Sequence, residues 1–457
     1  MSHLTLTRDD VEPLLEGLAI LGTGGGGNPD WGRLILENDL AHGRKWSIVP
    51  LDSVPDDWTI VCGGMMGSVK AIESIGFDKV LEGWEADFPL LRVTRYMEEL
   101  IGRRIDAMAP FEAGGLNSPI VLTLAARMGI AAIDGDALGR SAPETQMTSW
   151  HGHGVEITPM PLADSYGNIV VVSKAVEPTY VDEIGRWVVT QGGYLGANNH
   201  HPMTGAQLKQ TTVPGTFSRA LALGRAVHAA RAAGRDPVRA AADLLRARHL
   251  IFGRIESLQE EERTGFYFTT AQITGLGTEA GRTARLTIKN EAMLCALDEQ
   301  PVTIFPDPIY LLEPQTGRGL MSIELTVGQE ITLLGAPAHP RLRAAAMTEA
   351  GRKAFSPAQD GHDGSSRRRG RPPRPPPDRY RSRPRGNAIA ACRRSASRGG
   401  CGGHRVHADN ARRVRAVAGC ARAFRRRGDS RRGYGPGRRV GATGHRGRGA
   451  VRRRAEF

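Results

Sequence analysis

Apolar patterning in this 457-residue chain stops near residue 357, and that break limits what the chain can fold into. Beyond it Arg, Gly, Ala, Pro and Ser dominate, and neither a helical nor a strand period persists. From residue 361 onward there are 29 arginines, no lysine and five acidic residues, a net of +24. Such a segment buries too little apolar surface to offset its ordering entropy, so disorder is expected there. The whole-chain charge of +13 therefore misleads, because the first 360 residues carry −11. That is an ordinary balance for a cytosolic enzyme, and nucleic acid is expected as a partner only through the tail. Two readings of the tail stand. One is a basic nucleic-acid-binding arm; the other is a wrong reading frame of a GC-rich gene, favoured by the abrupt switch and the lack of lysine.

Residues 1–170 alternate helical and strand patterns. Thr7 with Asp10 has the form of a capping box. Val11, Leu14, Leu15, Leu18 and Leu21 follow at helical spacing. That helix stops at the run from Gly22 to Gly27, and Asn28-Pro29 supplies a cap and a first-turn proline for the next. Apolar runs at 45–49, 59–62, 105–109 and 130–133 read as strands, with helices at 88–101 and 118–126. The pattern predicts a layered α/β domain with a mostly parallel sheet. Residues 171–355 show helical stretches near 181–189, 217–233 and 237–248, then short strands punctuated by Gly, Pro, Asp and Asn. A β-rich, barrel-like domain with a helical insertion is expected there. Residues 356–457 make up the tail.

Cys62 and Cys295 lie far apart inside apolar runs and read as buried free thiols. Cys392, Cys401 and Cys420 in the tail lack the CxxC pairing of a zinc site. The N-terminus lacks a charged-then-apolar signal pattern. No apolar run approaches ~18 residues, so no membrane span is expected. The expected compartment is the cytoplasm.

Several polar clusters are candidates for chemistry. Gly24, Gly25, Gly26, Gly27 and Asn28 precede a helix, where free backbone amides can cradle an anion. No Gly-Lys-Ser/Thr follows, so this is not a phosphate-binding P-loop. Asp134-Gly-Asp136 follows a strand. If the strand continues, both carboxylates share a face and serve as acid and base or bind a divalent cation; otherwise they are a solvated turn. Arg140 and Glu144 can form an ion pair or clamp a polar ligand. Glu112 and Asn117 sit in another post-strand loop, beside glycines that admit a ligand. Asn198, Asn199, His200 and His201 crowd one polar stretch. Imidazoles suit proton transfer or metal ligation, although adjacent histidines rarely both reach one ligand. His151 and His153 read as a loop pair.

Taken together, these blocks resemble a known family. They are the stretch from Leu21 to Pro29, Gly115-Leu-Asn117, Asp134 to Asp136 with Gly139-Arg140 and Pro143-Glu144, Gly192-Gly-Tyr194, Asn290-Glu291, Pro306-Asp307, and Glu313 to Gly317. Over roughly residues 8–355 the chain resembles the S-methyl thiohydantoin desulfurase family, often found beside hydantoinase and oxoprolinase genes. The resemblance implies a three-layer α/β domain, a β-barrel-like second domain, and breakdown of hydantoin-like rings with loss of methanethiol. On the residues, the expected reaction is water attack at the ring carbon bearing sulfur. Asp134 or Asp136 would activate the water, directly or through a divalent metal, with Glu112 a further catalytic candidate. His200 or His201 would protonate the leaving group, and the glycine amides with Asn117 would bind ring carbonyls. The alternative is a non-catalytic partner subunit of a hydantoinase- or oxoprolinase-type enzyme. The substrate would be a small cyclic amide, and a homo-oligomer is a further expectation.

Overall fold

The computed structural model describes residues 4–67, 81, 83–263 and 265–359. Thr7 donates its backbone N–H and its hydroxyl to Asp10 Oδ2, each at 2.8 Å, just ahead of α1 (Val11–Leu21). Asn28 caps α2 (Pro29–Ala41), its Oδ1 accepting the Asp30 N–H at 2.8 Å. There follow β1 (Ile48–Pro50), β2 (Thr59–Gly67), α3 (Pro89–Ile101), β3 (Ala107–Pro110), α4 (Asn117–Met128), β4 (Ala131–Asp136) and α5 (Ser149–Gly152). The chain continues through β5 (Met160–Asp164), β6 (Ile169–Val172), α6 (Thr179–Gln191), β7 (Leu195–Thr204), α7 (Gly205–Thr211), β8 (Val213–Pro214) and α8 (Thr216–Ala232).

These strands form one mixed sheet in the order β1-β4-β3-β2-β7-β5-β6, with β8 paired to the end of β4. β1, β4, β3 and β2 run parallel, and β7, β5 and β6 continue antiparallel. The parallel half is buried on both faces, which explains its unbroken apolar strands. Ile48, Val61, Met108 and Ala132 face a core completed by Leu14, Leu18, Ile35, Ile120 and Phe217 from the helices. Val49, Ile60, Ala107, Ala109 and Ile133 face the other side, against Met147, Trp150 and Phe355. The helices α1 and α8 cross so closely that a Cβ on Gly17 would lie 1.8 Å from the Ala220 carbonyl oxygen.

After α9 (Pro237–Leu245) a second sheet begins, made of β9 (Arg248–Arg263), β10 (Phe266–Gly275), β11 (Thr283–Lys289), β12 (Glu291–Leu297), β13 (Gln300–Ile304), β14 (Ile309–Leu312) and β15 (Glu330–Gly335). Its order is β13-β12-β11-β10-β9-β15-β14, antiparallel throughout. It curls into a half-barrel around Ile255, Ile273, Leu286, Ile288, Leu311 and Leu333. Bulges in the β9–β10, β11–β12 and β12–β13 pairings help a sheet to bend. Two helices, α10 (Pro340–Met347) and α11 (Glu349–Gln359), close the described chain. Phe355 is buried against Phe305, ring centres 5.7 Å apart. The basic tail beyond residue 359, expected to be disordered, lies outside the described residues. Among the described residues no helix is long and apolar enough to cross a membrane.

Candidate active site

Ligands of α/β sheets gather beyond the carboxyl ends of parallel strands. At that edge, between the first sheet and the half-barrel, lies a cavity of about 160 Å³. Its walls come from the glycine loop between α1 and α2, the end of β2, the loop after β3, residues 142–145 and strand β7. The half-barrel contributes the tip of the β9–β10 hairpin, the β11–β12 turn and residues 321–323.

Two of the carboxyls lining it, Glu112 and Glu291, are raised above their ordinary values. Glu112 is buried in the loop after β3. Its Oε1 accepts from Asn117 Nδ2 at 2.9 Å and its Oε2 from the Ala142 N–H at 2.8 Å. Asn117 is fixed in turn, its Oδ1 accepting the Met65 N–H at 3.0 Å. Burial raises Glu112 to about 7, with a further push from the Asp136 charge, against the pull of those hydrogen bonds. Glu291 opens β12 and is equally buried. Burial raises it to about 8, helped by repulsion from Glu112 and opposed by the Arg140 charge. Its Oε1 accepts the Gly26 N–H at 3.3 Å, while Oε2 is buried with no hydrogen-bond partner among the described residues.

The local sequence explains how Glu291 reaches this place. Asn290 adopts a left-handed φ of 58°, which asparagine tolerates better than most residues. It is closed by reciprocal bonds with Tyr267, whose N–H donates to Asn290 Oδ1 at 2.9 Å and whose carbonyl accepts the Asn290 N–H at 2.8 Å. The resulting turn aims Glu291 at the glycine loop. A Cβ on Gly25 would stand 2.0 Å from Glu291 Oε1, so that glycine leaves the space the carboxyl occupies.

Two amides of the glycine run are already taken, the Gly26 N–H by Glu291 Oε1 and the Gly25 N–H by the Gly22 carbonyl. The carbonyls of Thr23, Gly24 and Gly26 accept from Ala292, Ser322 and Leu116 N–H groups, tying the loop to both domains. Gly24 to Gly27 line the cavity, whereas Asn28 is used as a helix cap.

Asp134 and Asp136 lie outside the cavity lining. The strand does continue, as Gly135 and Asp136 pair with Pro214 and Val213 of β8. The two carboxylates converge on the start of α8 instead of on a ligand. Asp134 Oδ1 accepts from the N–H groups of Phe217 (2.8 Å) and Ser218 (3.1 Å). Asp136 accepts from Leu138 and Gly139 N–H, at 2.6 and 2.5 Å, and from the Thr216 hydroxyl. Carboxylates at a helix N-terminus satisfy orphan amides and the helix dipole. The sequence allows a divalent cation at this pair; among the described residues no group of three or more His, Cys, Asp or Glu gathers as a metal site.

Arg140 is also behind the wall. It donates to the carbonyls of Ser141, Asp307 and Ala292 and to Thr23 Oγ1, at 2.7, 3.0, 2.8 and 3.0 Å, and stacks on Phe305. Glu144 lines the cavity but pairs with Lys289 and accepts from Gln146 Nε2 at 2.7 Å, in place of the expected Arg140 partner.

On β7, alternation sends Asn198 and His200 to the cavity, while Asn199 and His201 lie outside its lining. His200 Nδ1 hydrogen-bonds to His201 Nδ1 at 2.6 Å, and its Nε2 faces Cys62 Sγ at 3.9 Å. Both ring nitrogens are therefore turned to protein. Burial lowers His200 to about 3, which makes it a poor imidazolium donor at neutral pH. Cys62 and Cys295 are both free and buried.

Sequence reasoning passed over Glu291 as a site residue. The available signal was a glutamate heading the otherwise apolar strand Glu291–Leu297. It also passed over Arg186, which donates to Asp182, Gly265 and Pro143 and stacks on Phe266 at the cavity margin.

A family model described as S-Me-THD-like, N-terminal domain, matches residues 9–174, and one described as S-Me-THD-like, C-terminal domain, matches residues 176–362. No curated protein matches the chain. A crystal structure of a protein from Chromobacterium violaceum is similar in fold, with a TM-score of 0.62 and 24% identity over 79% of this chain and 98% of that one.

Proposed function

The chain belongs to the S-methyl thiohydantoin desulfurase family, and from that premise we propose that its cavity hydrolyses a small S-methylated heterocycle with Glu112 as base and Glu291 as acid. The reading is carried by one observation: two buried carboxyls at one cavity, both raised into the neutral range, with Glu291 Oε2 unpartnered among the described residues. Paired titratable groups held at different pKa values divide naturally into a base and an acid.

Glu112 takes a proton from water as the water oxygen attacks the ring carbon bearing sulfur. Glu291 gives its proton to the adjoining ring nitrogen. The adduct then carries hydroxyl, thioether and amine on one carbon. As it collapses, Glu291 recovers the hydroxyl proton and Glu112 returns its proton to departing methanethiolate. A C=O double bond replaces the C–S bond and the π bond between the ring carbon and nitrogen, and both carboxyls regain their starting states. Asn117 and the Ala142 N–H hold Glu112 in place, and the Gly26 N–H holds Glu291. Met65, Phe111 and Leu116 give the methylthio group an apolar wall.

The test supplies the full-length protein with S-methyl thiohydantoin and follows free thiol. Glu112→Gln and Glu291→Gln are each expected to lower kcat by about 100-fold or more, the usual worth of general acid–base catalysis. Full rates in both folded variants would remove the carboxyls from the reaction.

A further inference from the structure

Asn198 lines the cavity and takes no part in the steps above. Asn198 lies on β7 between Gly64 of β2 and Leu162 of β5, and is only 4% exposed. Its Nδ2 donates to the Met66 thioether sulfur at 3.1 Å. A thioether is a weak acceptor, so this buried amide has a poor partner, and a carbonyl oxygen arriving in the cavity is a better one. The neighbouring asparagines differ. Asn117 has both ends of its amide held by protein oxygen and nitrogen, and Asn199, off the cavity, donates to Thr94 Oγ1 at 3.0 Å.

We propose that Asn198 is the specificity-determining residue that recognises the ring carbonyl, so that the cavity selects cyclic amides over rings lacking that group. The inference rests on the reading of the cavity as the seat of a small heterocycle. On arrival, the carbonyl takes the N–H that the sulfur holds in the empty protein. The sulfur loses only a weak bond, and no buried donor is left without a partner.

Two neutral probes that differ at one group test it. Hydantoin carries the ring carbonyl in question, and 2-imidazolidinone lacks it while keeping the urea carbonyl. Their dissociation constants are measured by calorimetry on the full chain and on Asn198→Ala and Asn198→Asp, with thermal melting to establish that each variant is folded. Wild type is expected to bind hydantoin about tenfold more tightly, the scale of one neutral hydrogen bond. In either folded variant the ratio falls to near one, and the isosteric Asp form serves if the Ala form does not fold. A ratio unchanged by both substitutions, or equal binding of both rings by wild type, overturns the proposal and leaves the hydrolytic reading standing. Failure of wild type to bind either ring overturns both.

Discussion

Glu291 is costly where it stands, and the cost depends on pH. The folded protein keeps its proton up to about 8, whereas an unfolded chain releases it near 4.5. Between those values the folded state binds more protons than the unfolded one, so stability falls as pH rises through that window. Glu291→Gln keeps the shape and removes the charge. Its melting temperature is expected to exceed that of wild type by a few degrees at pH 8, on the order of 2–4 °C per kcal/mol gained for a domain of roughly this size. The difference should shrink to nothing near pH 4.5. Melting curves at the two pH values check this, and a gap that fails to widen with pH would count against a buried protonated acid. The proposed reaction needs Glu112 ionised and Glu291 protonated, so thiol release by that route should peak narrowly between about 7 and 8, the apparent values belonging to the pair.

At the scale of elements, β4 and α8 are joined by Asp134 and β7 is the strand on which the polar groups are sorted. Asp134→Ala removes the acceptor of two amides at the first turn of α8. The expected loss is about 1 kcal/mol, typical of a helix cap. It should appear as a lower urea midpoint with thiol release per folded molecule unchanged; a collapse of turnover in the folded variant would return Asp134 to the chemistry. The helices α1, α2, α4, α6 and α8 were all legible in the sequence, because a 3.6-residue apolar period, and at α2 a capping asparagine, are local signals. β7 was not. Its Asn-Asn-His-His centre carries no apolar alternation and reads as a polar loop. The strand exists because β2 and β5 flank it and supply its ladder on both sides. Its polar side chains divide between the cavity and the packed face beyond.

At the scale of the whole molecule, Arg140 pins the two sheets together. It reaches from the loop after β4 to the carbonyls of Ala292 and Asp307 in the half-barrel. Arg140→Met leaves several buried acceptors empty and is expected to cost about 3 kcal/mol or more. It also removes the charge that holds Glu291 down, so any remaining activity should keep its alkaline limb to higher pH. Denaturant titration and a pH–rate profile read these two effects, and an unshifted limb would separate Arg140 from the acid. The sequence by itself determined the layered first domain, the strand-rich second one, the family, and the place where apolar patterning ends, since periodicity and caps act over a few residues. It could not decide which acids line the cavity. Asp134 and Asp136 look better placed in one dimension, yet one oxygen of each accepts from the start of a helix some eighty positions later, and neither residue lines the cavity. Glu112 and Glu291 look unremarkable apart and matter only because two sheets close over them. Desolvation and charge–charge repulsion depend on distance in space, which only the assembled fold supplies.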